Sequence, residues 1–128
     1  MKTVVDDINV HPDRRGYVFE PIEKDFLTVQ RNVHVVVSEP GAIRGNHYHP
    51  NGTETIAVKG EALVRLKENN NLYDIKVPGR KVYRFVIPPK VSHAIKNIGD
   101  QVNILVAFNT VEHDPQRPDQ VHDILIRD

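Results

Sequence analysis

The fold class this 128-residue sequence predicts is all-β, a jelly-roll barrel, and three observations carry it. Apolar residues recur with period two rather than 3.6. The runs are short and end on Gly, Pro or Asn. About ten of them follow one another at spacings of roughly ten residues, with no segment long enough to be a covering helix. A chain of this length supports one core, so residues 1–128 are expected to form a single domain, with anything larger made by pairing of copies.

The elements follow in order. Arg15 to Glu20 reads as a turn into a strand that Pro21 closes. Glu23 to Thr28 offers one helical turn without a convincing cap. Asn32 to Ser38 alternates Val33, Val35 and Val37 against His34, Val36 and Ser38, and ends at Pro40 and Gly41. Strands are expected over Ile43–His49, Thr53–Lys59 and Glu61–Lys67. Three asparagines then suit a hairpin into Leu72–Val77, because Asn tolerates left-handed backbone. Val82–Ile87 runs into Pro88 and Pro89, and His93–Ile98 follows. Val102–Thr110 is the most apolar stretch and reads as buried on both faces. From Glu112 the tail is charged and proline-interrupted, with Val121–Ile126 able to add a last strand.

Composition narrows the function classes. Seventeen basic and seventeen acidic residues leave no net charge, so no overall field favours nucleic acid or an anionic membrane. Without cysteine there are no disulfides, thiolate ligands or cysteine nucleophiles, and any metal site must use nitrogen and oxygen donors. Met1–Val10 lacks the apolar segment of a secretory signal, and no run approaches the roughly 20 apolar residues of a membrane helix; a cytoplasmic location is expected.

The chemistry concentrates between Gly41 and Gly60. On a strand, His47 and His49 point the same way about 7 Å apart. The Pro50–Asn51–Gly52 turn lets Glu54 approach the same point. In an antiparallel barrel a later strand returns beside an earlier one, so His93 can complete the set. Three imidazoles and a carboxylate suit Zn, Fe, Mn, Ni or Co. The alternative is two polar histidines on the solvated face of an edge strand.

Gly41, His47, His49, Glu54 and Gly60, with Pro88, His93 and Asn97, resemble the two motifs of the cupin superfamily, G-x5-H-x-H-x3-4-E-x6-G and G-x5-P-x-G-x2-H-x3-N. Five residues rather than six separate Glu54 from Gly60, which keeps Thr53 beside Glu54 as a candidate for the carboxylate slot. Lys90 stands where the second motif has glycine. Asp13–Glu20, Val29–Asn32 and Gly41–Tyr48 are similar to the DxRGxFxE, VQxN and GxxRGxHY segments of dTDP-4-dehydrorhamnose 3,5-epimerases. RGNHYH and PPKVSHAIKNIGD resemble further the C-terminal cupin domain of CapF-type capsular sugar enzymes. The likeness runs from about Asp13 to Asp119.

That resemblance implies an RmlC-like double-stranded β-helix and a homodimer in which N-terminal strands, within residues 1–40, pair. It implies zinc first among the possible metals, and epimerisation or ketoisomerisation of a nucleotide-linked 4-keto sugar for surface polysaccharide synthesis. Such chemistry needs a base for the proton beside the carbonyl, stabilisation of the enolate oxygen and an acid to return a proton. His47 holds the position of the family's base, yet a metal-bound imidazole has no lone pair to spare, so His47 is either ligand or base. If it is a ligand, Tyr83, His34, Tyr48 and Glu54 are the candidates for the base. Arg44 and Arg15 are candidates for holding the substrate's anionic groups. Two other functions fit the same histidines: an iron-dependent cupin dioxygenase, and a non-catalytic cupin that binds a sugar or other small ligand.

Overall fold

The computed structural model describes all 128 residues. Its elements are β1 (Val4–Ile8), β2 (His11–Asp13), β3 (Gly16–Val18), α1 (Lys24–Leu27), β4 (Asn32–Ser38), β5 (Ile43–Tyr48) and β6 (Glu54–Lys59). They continue with β7 (Ala62–Glu68), β8 (Asn71–Val77), β9 (Val82–Ile87), β10 (Ser92–Asn97), β11 (Asn103–Asn109) and β12 (Val121–His122). Two five-stranded sheets, ordered β1-β9-β6-β11-β4 and β12-β5-β10-β7-β8, form the barrel, and β2 and β3 make a separate hairpin.

Alternation decides what lies between the sheets. Ile56 and Val58 of β6, Val64 and Leu66 of β7, Phe85 and Ile87 of β9, Ile95 of β10 and Leu105 and Ala107 of β11 belong to one buried cluster. The β7–β8 hairpin turns on Asn69 and Asn70, both at positive φ (53° and 63°), the two-residue geometry that matches strand twist.

Several segments differ from expectation. β1 was not legible as a strand; it pairs with β9, and buried Glu68 fixes its entry by accepting from Lys2 N and from Thr3 N and Oγ1. The last strand is two residues long, because Asn46 takes up the backbone beyond it: Asn46 Oδ1 accepts from Leu125 N and Ile126 N, and its Nδ2 donates to Ile126 O. On β4 the all-valine face is the outer one, with Val33, Val35 and Val37 at 56%, 62% and 55% exposure, while Val36 packs on the core.

Candidate metal centre

β5 and β10 lie side by side in one sheet, and His47 pairs directly with His93. Two features allow this register. Asn46, at φ 58°, is the extra residue of a bulge between the His47 and Gly45 pairs. Gly45 lies at φ 86°, and a Cβ on it would stand 2.7 Å from His93 O. Glycine is therefore required for β10 to approach. His49 follows the end of β5, where its carbonyl accepts from Lys90 N at 2.8 Å. Lys90 sits at φ 70°, so the loop before His93 keeps a glycine-like backbone without glycine.

Glu54 opens β6 in the opposite sheet, and its side chain is 6% exposed. Its Oε2 lies 2.5 Å from His49 Nε2 and 3.2 Å from His93 Nε2. The other ring nitrogens of these histidines face backbone carbonyls, His49 Nδ1 at 2.7 Å from Asp119 O and His93 Nδ1 at 3.3 Å from Val91 O. The His47 ring packs edge-on to both, with centroids 4.9 Å from His49 and 4.8 Å from His93. One potential ligand atom from each of His47, His49, Glu54 and His93 falls within 4.8 Å of every other. Glu54 rather than Thr53 is the residue of this pair in the cluster, and the Thr53 backbone is tied to Thr110, its N–H donating to Thr110 Oγ1 and its C=O accepting from Thr110 N.

Electrostatics follow from this burial. Desolvation lowers the His47 pKa to about 4, helped by the charges of His93 and His49 and opposed by Glu54. Burial also disfavours a charged His49, but the hydrogen bond and charge of Glu54, with the Asp119 carbonyl, raise its pKa overall. Burial pushes Glu54 up, yet its hydrogen bonds to His49 and His93 hold the carboxyl well below the usual carboxylate range. The donor set fits a divalent transition metal on its own chemistry. It has three imidazoles, two of them with Nδ1 tied to a carbonyl as metal-binding histidines require, and a buried carboxylate partnered by imidazoles rather than by Arg, Lys or backbone N–H.

His49 and Glu54 form part of the wall of a cavity of about 360 Å³. Asn32 and His34 of β4 and Asn109 of β11 line it from the barrel, and Glu112, His113, Asp119 and Gln120 line it from the segment after β11. His34 pairs with core residue Ala107 and so shares the inner face of the sheet.

The other sequence candidates lie apart. Tyr83 packs against the core four residues from Ile87, the partner of Glu54, which is roughly 13 Å along β9. Arg44 bonds Ser38 Oγ and Val37 O at the opposite end of β4 from Asn32 and His34. Arg15 is held by Asp13 in the β2–β3 hairpin with its side chain 82% exposed. Conversely, His113, Asp119 and Gln120 were not singled out for the site, and His122, which pairs with His47, had no assigned role. Their tail carries no periodic signal; only Gln120 and His122, two apart like His47 and His49, hint at a shared face.

The family model described as the polysaccharide biosynthesis C-terminal domain matches residues 11–121. Among solved structures, the capsular polysaccharide assembling protein CapF from Staphylococcus aureus is 26% identical with a TM-score of 0.69, covering 92% of this chain and 34% of its own. The chain thus spans about a third of the length of CapF. ChmJ, a 3'-monoepimerase from Streptomyces bikiniensis solved with dTDP-quinovose, is 17% identical with a TM-score of 0.73, covering 94% of this chain and 68% of its own. The dTDP-4-dehydrorhamnose 3,5-epimerase from Sulfolobus tokodaii is 20% identical with a TM-score of 0.72, covering 91% and 74%. At these last two identities the likeness is one of fold. No curated protein sequence matches. The chain belongs to the polysaccharide biosynthesis C-terminal domain family and has the jelly-roll fold of the RmlC-like cupins.

Proposed function

We infer that this protein is an epimerase or ketoisomerase acting on a nucleotide-linked 4-keto sugar in polysaccharide synthesis, with a metal centre at His47, His49, Glu54 and His93. The observation that carries the reading is that two members of the cluster, His49 and Glu54, line a polar cavity that is also lined by a histidine outside the ligand set, His34. On this reading His47 serves as a ligand, and His34 moves the proton beside the sugar carbonyl. A bound divalent ion supplies Lewis acidity toward an oxyanion. The chain's own side chains do the rest. Asn32, Asn109 and Gln120 offer amide donors and acceptors to sugar hydroxyls, and His34 takes or returns the proton. Zinc suits the set best, since it is met by nitrogen and oxygen ligands and has no redox chemistry to control.

The test is deuterium incorporation from heavy water into UDP- and dTDP-linked 4-keto sugars by metal-loaded protein. Exchange at C3 or C5 is expected, and His34→Ala should slow it by about 10²- to 10⁴-fold while metal content stays the same. Absence of exchange by the wild type would count against the enzyme reading. Oxygen uptake with an iron-loaded sample would favour the dioxygenase instead.

The reading also includes a cytoplasmic homodimer and one folding unit over residues 1–128. Supporting the dimer is the outward valine row of β4, an edge strand within the first forty residues. Supporting the single unit are the ties at both ends, from Glu68 to Lys2 and Thr3 and from Asn46 to Leu125 and Ile126.

A further inference from the structure

We propose that Asp119 is a positioning residue for the metal centre: its carboxylate fastens the strap after β11 to the loop after β5, so that its own backbone carbonyl holds His49 in the ligating orientation. The proposal rests on the metal reading above and adds to it a residue outside the ligand set.

The geometry is specific. His49 Nδ1 faces Asp119 O at 2.7 Å, which fixes the Nδ1–H form and leaves Nε2 as the atom directed at Glu54. A carbonyl positions a ring only if it is itself held, and the strap provides little else. From His113 to Gln120 the other hydrogen bonds are local, Gln116 N to Asp114 Oδ1 and Arg117 N to Asp114 O. Every bond from this stretch to the barrel is made by Asp119. Its Oδ2 accepts from Gly52 N at 2.8 Å, and its Oδ1 accepts from Asn51 Nδ2 at 2.8 Å and Asn51 N at 3.1 Å. The loop that donates these bonds lies between the ligands His49 and Glu54. It is seated in turn, because a Cβ on Gly52 would collide with Asn109 Oδ1. One side chain therefore registers the strap, the loop and the ring together.

Two measurements test this, the first on metal-free protein. In long-range proton–nitrogen NMR spectra of the histidines, wild-type His49 should show a protonated Nδ1 whose hydrogen exchanges slowly, and Asp119→Ala should lose that protection. Second, Co(II) and Zn(II) affinities, read by competition with a chelator at fixed pH, should fall about 10- to 100-fold in Asp119→Ala. Asp119→Asn keeps one acceptor oxygen and should lie between. Asp114→Ala, which loosens the same strap locally, should match the wild type in both. Identical His49 exchange and metal affinity in wild type and Asp119→Ala would overturn the proposal, as would an equal loss in Asp114→Ala. If Asp119→Ala does not fold, Asp119→Asn decides on the same two measurements. If the wild type takes up no metal, the metal reading falls, and the NMR comparison alone decides whether Asp119 positions His49.

Discussion

Gly45 shows how one residue sets the geometry of the cluster. Any side chain there would press a Cβ against His93 O while forcing an L-residue to φ 86°. Gly45→Ala should cost on the order of 3 kcal/mol and displace His93, read as a lower melting temperature and lost metal uptake. The titrating groups give a second expectation at this scale, for the metal-free protein. His47 has a folded pKa of about 4, below its ordinary 6.5, so the unfolded chain takes up a proton first as pH falls and stability is lost between those values. His49 has the opposite sign: its pKa is raised, so its contribution is present below about 6.5 and is lost as pH rises through the folded value. Glu54 keeps its contribution across this range, because its folded pKa is depressed. Urea midpoints of metal-free protein should therefore peak near pH 6.5, and His47→Gln should flatten the acid side. An acid limb unchanged in His47→Gln would show that other groups carry it.

The strands were mostly legible because alternation and turn residues are local signals. β4 to β11 follow the period-two runs, and the Asn69–Asn70 turn was readable from residue type alone. What escaped depended on partners distant in sequence. β1 is a strand because β9 offers it an edge and Glu68 holds its start, neither visible in the residues Val4–Ile8. Strict alternation counted back from His47 sets Arg44 on the opposite face. The bulge at Asn46 instead pairs Arg44 with core residue Ile95, at the end of the barrel away from the cavity. The four clustered residues were readable because HxH and a returning strand are spacing arguments; Asp119 was not, because it meets His49, Asn51 and Gly52 from some seventy residues away in a tail without periodicity. The loop before β10 carries its own expectation. With position 90 at φ 70°, Lys90→Gly should be tolerated, whereas the β-branched Lys90→Val should lower stability by about 1–3 kcal/mol, measured by urea unfolding.

At the scale of the molecule, β4 has one paired edge, through β11, and an outer valine face. Monomers leave that face in water, whereas a twofold pairing would bury it on both copies. Sedimentation should give about twice the monomer mass, and Val35→Glu should shift the protein toward monomer without loss of fold; a monomeric wild type would remove the dimer from the reading.

Glu54 belongs to one five-stranded sheet, and His47 and His93 belong to the other, which shares no ladder with it. A cation gripped by all four side chains, as proposed, would therefore be a rivet between the two sheets, resisting the sliding and parting of layers otherwise joined by packing and loops. Its removal by a chelator should appear as faster unfolding in stopped-flow traces more than as slower folding, since parting the sheets is the step the rivet opposes.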